Sequence, residues 1–488
     1  MFVVGAVALV TYSLHGFSGS LSRDLGVYSY AGQQVADGVP PYVGILNRAG
    51  PLAHVIPGIG VVIARLGGFD DVLTMRRLFW VIAALCVCVV YLLARDLFSS
   101  RIAGAGSAAT FLTFYGFVHY ATNGPREKTP MTLFIVCALW AATRRRWFTA
   151  GVFVSLATLC LQIAFPASFA AVVAAALVLE TGGRLRALGR IALGGAVPVA
   201  VCAVWFALAG SLRQSIDAFF VINFRYTTPN PVLDELDSVW LDARTAYGLS
   251  LWLLVGGLVA LIALAMAGLR KGFKRTGPTE AVLAAFSVGV VVGLLWNLKD
   301  YDAWPDLFPM LPFAAVGVGG LFALLVRRAS PRTAVAVTAV WSVAAILVAG
   351  QYAIDTRDNS IEAQRASVAA VMGQLPSTTR ILSVEAPQAL VLAGRTNPTR
   401  HQMFRAGLQD YVDDIWPGGV EGYRRSIVAR NPTLVVMGTT VYEKWKASIQ
   451  PEYVYIGSGP NWYWYARASL GEEKLSALRR ATGYDPAD

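Results

Sequence analysis

The chain has 488 residues, 56% hydrophobic and only 15% charged, with a net charge of +11. A soluble domain carries about 25% charged residues, so a wholly soluble protein is excluded. The Lys and Arg residues gather in short clusters between apolar blocks, which marks orientation in a membrane and argues against a nucleic-acid partner. The five cysteines (Cys86, Cys88, Cys137, Cys160 and Cys202) all lie in apolar blocks. That leaves the C-terminal part without a disulfide or a cysteine zinc site.

Residues 1–352 read as an all-α polytopic membrane domain. About 20 residues cross a bilayer, and the apolar blocks give about eleven expected spans: 1–18, 76–95, 102–121, 130–143, 147–161, 166–179, 190–210, 246–268, 279–297, 307–326 and 333–352. The opening run from Met1 to Phe17 has no small-residue cleavage site and reads as a first span rather than a signal peptide. The first loop, 19–75, is expected to hold an interfacial helix. Ser22 caps it, Asp24 complements its dipole, and Gly38 ends it before Pro40-Pro41. Leu25, Tyr28, Ala31 and Val35 line one face. Segment 51–68 is also apolar. Its His54, Pro57, Arg65 and five glycines, counting Gly50, suit a helix lying in the interface or re-entering it better than a lipid-facing span.

Basic clusters at Arg144–Arg146, Arg184/Arg186/Arg190, Arg270-Lys271 with Lys274-Arg275, and Arg327-Arg328 with Arg332 fall on one side of this layout. The positive-inside rule makes that side cytoplasmic. It puts the N-terminus in the cytoplasm of a multi-pass plasma-membrane protein. Loops 19–75, 211–245 and 298–306, the turn 122–129 and residues 353–488 are then extracytoplasmic. Residues 353–488 read as an α/β domain, with buried strands at 380–386 and 433–438, helices at 361–375 and 419–430, and a hairpin of 453–457 with 462–468 around Gly459-Pro460. The aromatic run Trp462–Tyr465 either stacks on sugars or packs a strand on a core.

The strongest chemical signal is Arg23-Asp24 directly after the first span. GVYSYAGQQVADGVPPY (Gly26 to Tyr42) and NRAGPL (Asn47 to Leu52) follow it. An acid at the membrane face can act as a general base for a hydroxyl, and a cation such as Arg48 can hold a phosphate leaving group. On physical grounds alone, capping a helix and meeting lipid head groups are the commoner uses of such residues.

The ordered features from Asp24 to Pro51, with Arg76-Arg77 opening the next span and the basic Arg95–Arg101 turn after it, resemble the GT-C superfamily of membrane glycosyltransferases. The resemblance is to the branch with the protein O-mannosyltransferases and the bacterial aminoarabinose transferase. It implies an inverting enzyme that takes a sugar from a polyprenyl-phosphate donor and passes it to an extracytoplasmic cell-envelope acceptor, a glycan, lipid or protein. The family's first catalytic acid maps to Asp24. Its second maps to Glu127 in GPREKTPMTLF, although the family acid often stands nearer the following apolar run, where this chain has Thr129-Pro130. Arg48 stands where relatives often carry a phosphate-binding Lys. Lys299 in NLKDYDAWPD is a second phosphate candidate, in a loop lacking the His-Tyr that relatives often have. Tyr28, Tyr42, His54, Arg126 and Arg225 complete the expected substrate contacts, although His15, His54 and His119 also read as structural residues. Some relatives bind a divalent metal near the acids, and the resemblance leaves the ligand set and the donor sugar open. The competing classes are a lipid-linked sugar flippase, for which internal repeats and midplane charges are expected and none is visible, and an envelope-assembly scaffold, which would tolerate loss of Asp24.

Overall fold

Backbone polar groups have no partners in lipid, so apolar segments must form helices. In the computed structural model each of the eleven expected spans coincides with helical structure. Residues 1–270, 277–440 and 442–485 are described; Lys271, Lys274 and Arg275 of the expected basic clusters lie outside them. Six described helices are long and apolar enough to cross a membrane: Asp71–Phe98, Arg184–Leu208, Ser250–Leu269, Pro278–Lys299, Trp304–Arg328 and Pro331–Asp355. Phe2–Ser13, Leu52–Gly67, Lys128–Thr143, Trp147–Cys160 and Ala164–Leu179 are shorter apolar helices. The expected span 102–121 is not continuous. It breaks into Arg101–Leu112 and Tyr115–Asn123. At the break the Thr113 hydroxyl donates to the Thr110 carbonyl at 2.7 Å, and the Tyr115 N–H turns to the Ser250 hydroxyl at 3.1 Å. Side chains thus capture groups that a continuous helix would bond within itself.

The chain divides into two compact units: Met1–Gly16, Arg76–Val204 and Pro229–Arg357 form the first, and Phe17–Met75, Trp205–Thr228 and Asp358–Asp488 form the second. In the first, helices close on one another through small residues, as lipid-embedded helices do. Gly257 and Gly317 show why: a Cβ on Gly317 would collide with the Gly257 carbonyl. The Arg144–Arg146, Arg184–Arg190 and Arg327–Arg332 clusters stand at helix ends.

The second unit is built around a four-stranded sheet in the order β1-β2-β4-β3, where β1 is Ile381–Val384, β2 Leu434–Gly438, β3 Tyr453–Gly459 and β4 Trp462–Arg467. β1 and β2 are parallel and buried along their whole length, as parallel strands covered on both faces are. β4 runs antiparallel to both β2 and β3. Trp462, Trp464 and Tyr465 are fully buried, so this part of the aromatic run packs inward and offers no sugar-stacking face. The first-loop helix forms at Arg23–Ala36. The Ser22 hydroxyl accepts from the Leu25 N–H, and Gly38 follows at φ 82°. Gly26 lets this helix reach the start of the Pro387–Ala393 helix: a Cβ there would lie 2.7 Å from the Gln388 nitrogen.

Candidate functional site

In the second unit, helix Arg23–Ala36 presents Asp24 and Tyr28 one turn apart, both partly exposed. The Asp24 carboxylate, 40% exposed, is gripped through Oδ1 by the Arg23 guanidinium: Nη2 donates at 2.7 Å and Nε at 3.0 Å. The third arm of the fork, Nη1, reaches Oε2 of Glu385 at 3.1 Å. Glu385 has no exposed side-chain surface. Burial pushes its carboxyl above the ordinary range, and Arg23 pulls in the opposite direction. Burial depresses the Arg23 guanidinium, but Asp24 and Glu385 together outweigh it and leave it raised. Glu385 was missed by sequence reasoning. Its one local signal is its place at the end of an apolar strand, where a buried acid needs a partner.

The NRAGPL turn is shaped by buried polar contacts. Asn47 Oδ1 accepts from the Ala49 N–H at 3.1 Å and lies 3.1 Å from His54 Nε2. The Tyr42 hydroxyl donates to the Ala49 carbonyl at 2.8 Å, and its ring packs 4.9 Å from that of His54. Tyr42 and His54 are buried, so they brace the turn that carries Arg48, itself partly buried. The Arg48 carbonyl accepts from Asn223 Nδ2 at 3.0 Å, which ties the turn to the π-helical segment Asp217–Tyr226. Arg225 at the end of that segment is mostly exposed, lies 3.6 Å from Asp414, and sits over the Tyr226 ring.

In the first unit the 122–129 turn meets the 3₁₀ segment Trp304–Met310. Buried Glu127 and partly buried Arg126 lie 3.4 Å apart, and Arg126 lies over the Tyr120 ring, which stacks on Trp304 at 5.1 Å. Lys128, next in sequence, makes a buried 2.6 Å ion pair with Asp306. Asp306 Oδ2 also accepts from the Asp302 and Ala303 N–H groups. Nothing in the sequence pairs these two residues. Their pairing spans 178 positions. Lys299 is exposed at the end of its helix, 5.5 Å over the Trp296 ring. His15 and His119 pack edge to face at 5.7 Å, and His15 Nδ1 lies 3.2 Å from the Thr122 hydroxyl.

Among the described residues no group of three or more His, Cys, Asp or Glu side chains forms a ligand set for a metal ion. The donors present among those residues do not fit a protein-ligated metal.

No protein-family model and no curated protein matches the sequence. Solved structures do match the fold. The aminoarabinose transferase ArnT from Cupriavidus metallidurans in the apo state aligns with a TM-score of 0.64 at 14% identity, over 96% of this chain and 98% of that one. The same protein bound to undecaprenyl phosphate aligns with a TM-score of 0.65 at 15% identity, over the same shares. The apo oligosaccharyltransferase of Archaeoglobus fulgidus aligns with a TM-score of 0.52 at 13% identity, over 98% of this chain and 77% of that one. Over nearly its whole length the chain shares the fold of these solved structures.

Proposed function

We propose that this protein is an inverting membrane glycosyltransferase that moves a sugar from a polyprenyl-phosphate donor to a hydroxyl of a cell-envelope acceptor. One observation carries the reading: a half-exposed carboxylate, Asp24, stands at a helix N-terminus with one oxygen gripped by an arginine fork. Likeness to a transferase bound to undecaprenyl phosphate supports the donor class. In this reading residues 1–352 carry the chemistry. Residues 353–488 form an extracytoplasmic domain.

Asp24 takes the proton of the acceptor hydroxyl as that oxygen bonds to the anomeric carbon. The bond from this carbon to the phosphate oxygen breaks, and the electron pair leaves with the polyprenyl phosphate. Arg48 balances the charge that grows on the phosphate. Tyr42 and His54 serve by bracing the Arg48 turn, which their burial supports. Tyr28 and Arg225 contact substrate.

The test compares the purified protein with Asp24→Asn, using labelled polyprenyl-phosphate sugars and native membrane extract. A positioned general base contributes about 10²–10⁴-fold, so Asp24→Asn is expected to bind donor and lose transfer by that factor. Equal transfer by both proteins removes Asp24 as the base. No transfer by the parent, in an extract that supports a related transferase, removes the enzymatic reading.

A further inference from the structure

We propose that Glu385 is a positioning residue for the transfer reaction: it holds the Arg23 guanidinium that orients the Asp24 carboxylate. The proposal rests on the reading of Asp24 as the base. Glu385 lies 362 positions from Arg23 and just beyond β1, in the part of the chain that carries the sheet.

Its placement is over-determined. Its backbone has φ 56°, a left-handed conformation that a side chain disfavours. Such strain persists only where surrounding structure enforces it, and it collects at functional positions. Here the Glu385 N–H donates to the Gln402 carbonyl at 2.7 Å, Oε1 accepts from the Phe404 N–H, and a Cβ on Gly438 would collide with the Glu385 carbonyl. One carboxylate oxygen is thereby fixed inside the unit, and the other is directed at Arg23. Arg405 is a further charge acting on Glu385.

A purely structural tie would not need a charge. Buried ion pairs are often replaced by apolar side chains without loss, because burial of the charge offsets the attraction. The geometry of the fork instead gives it a role at Asp24. All three guanidinium nitrogens are engaged, two on Asp24 and one on Glu385, so the buried acid sets the plane of the fork and imposes a direction on the exposed one.

Glu385→Gln keeps the size and an oxygen acceptor but removes the charge. It is expected to lower kcat about ten- to a hundred-fold, the range of a small misplacement of a reacting group, with little change in donor KM. Arg23→Gln should lower kcat similarly. The double variant should be no worse than either single one, since the two residues act in one chain of contacts. Glu421→Gln, an exposed acid of the same unit paired only with its helix neighbour Arg424 among the ion pairs found, should leave kcat unchanged. Parent-like kcat in folded Glu385→Gln would overturn the proposal and make Glu385 a structural tie. If that variant does not fold, Arg23→Lys keeps the charge without the fork, and a parent-like kcat there overturns the proposal equally. Asp24→Asn, measured alongside, separates the two ideas: full activity in that variant sinks the base reading, whereas its inactivity beside a normal Glu385→Gln sinks only the role of Glu385.

Discussion

Replacing Lys128 by Met tests the buried ion pair of the first unit. Lys128 Nζ lies 2.6 Å from Asp306 Oδ1, with only 7% and 10% of the two side chains exposed. At that separation the gross attraction at an effective dielectric of 20 is about 6 kcal/mol, most of it offset by desolvation of both charges. Methionine keeps the length and removes the charge, which leaves Asp306 buried with only the Asp302 and Ala303 N–H groups as its recorded side-chain donors. Breaking one side of such a pair costs about 3–5 kcal/mol. Adding Asp306→Asn removes the stranded charge and keeps an oxygen for the same two N–H groups. The double variant should therefore recover more than half of the loss. Denaturant unfolding in mixed micelles, read by tryptophan fluorescence, gives both numbers. A single-variant cost below about 1 kcal/mol, or a double variant less stable than the single, would refute the argument that the cost lies in the unpaired charge.

Gly26→Ala gains about 1 kcal/mol of helix propensity but drives a methyl group to 2.7 Å from the Gln388 nitrogen. With overpacking at about 1–3 kcal/mol, a net loss of about 1–2 kcal/mol is expected, and a thermal midpoint at or above that of the parent would contradict it. His401 is buried, and burial, with help from Arg400 and Arg430, lowers its pKa from 6.5 to about 4. The folded form therefore holds a neutral ring. Its stabilising contribution, on the order of 3 kcal/mol, is complete above pH 6.5 and is lost as the pH falls toward 4. Unfolding midpoints between pH 7.5 and 4.5, followed by fluorescence of tryptophans such as Trp416 at 5.7 Å from the ring, should fall with pH in the parent. They should fall less in His401→Gln, and parallel curves would exclude the residue as the source.

Much of the architecture was legible along the chain because its causes are local. Apolar blocks between basic clusters gave helices and their ends, and Ser22 and Gly38 bracketed the Arg23–Ala36 helix as caps do. Continuous apolar runs at Ile381–Val384 and Leu434–Gly438 became buried parallel strands. The break at Thr113 was not legible, because a hydroxyl on a distant helix, that of Ser250, helps to make it. Neither were the contacts of Tyr42 with the Ala49 carbonyl and of His54 with Asn47, which depend on how the 40–54 segment folds onto itself.

The sequence by itself determined that this is a multi-helix membrane chain with an α/β segment, and it singled out Asp24 and Arg48. These follow from hydropathy and from cap and turn chemistry, which act over one or two turns of chain. Only the tertiary structure decided that Arg23 joins Asp24 to Glu385, that Lys128 belongs to Asp306, and that Gly26 is a contact point. Separations of 362 and 178 positions have no periodicity to betray them. An ion pair is specified by where packing delivers two side chains, and that is fixed only when the whole fold closes.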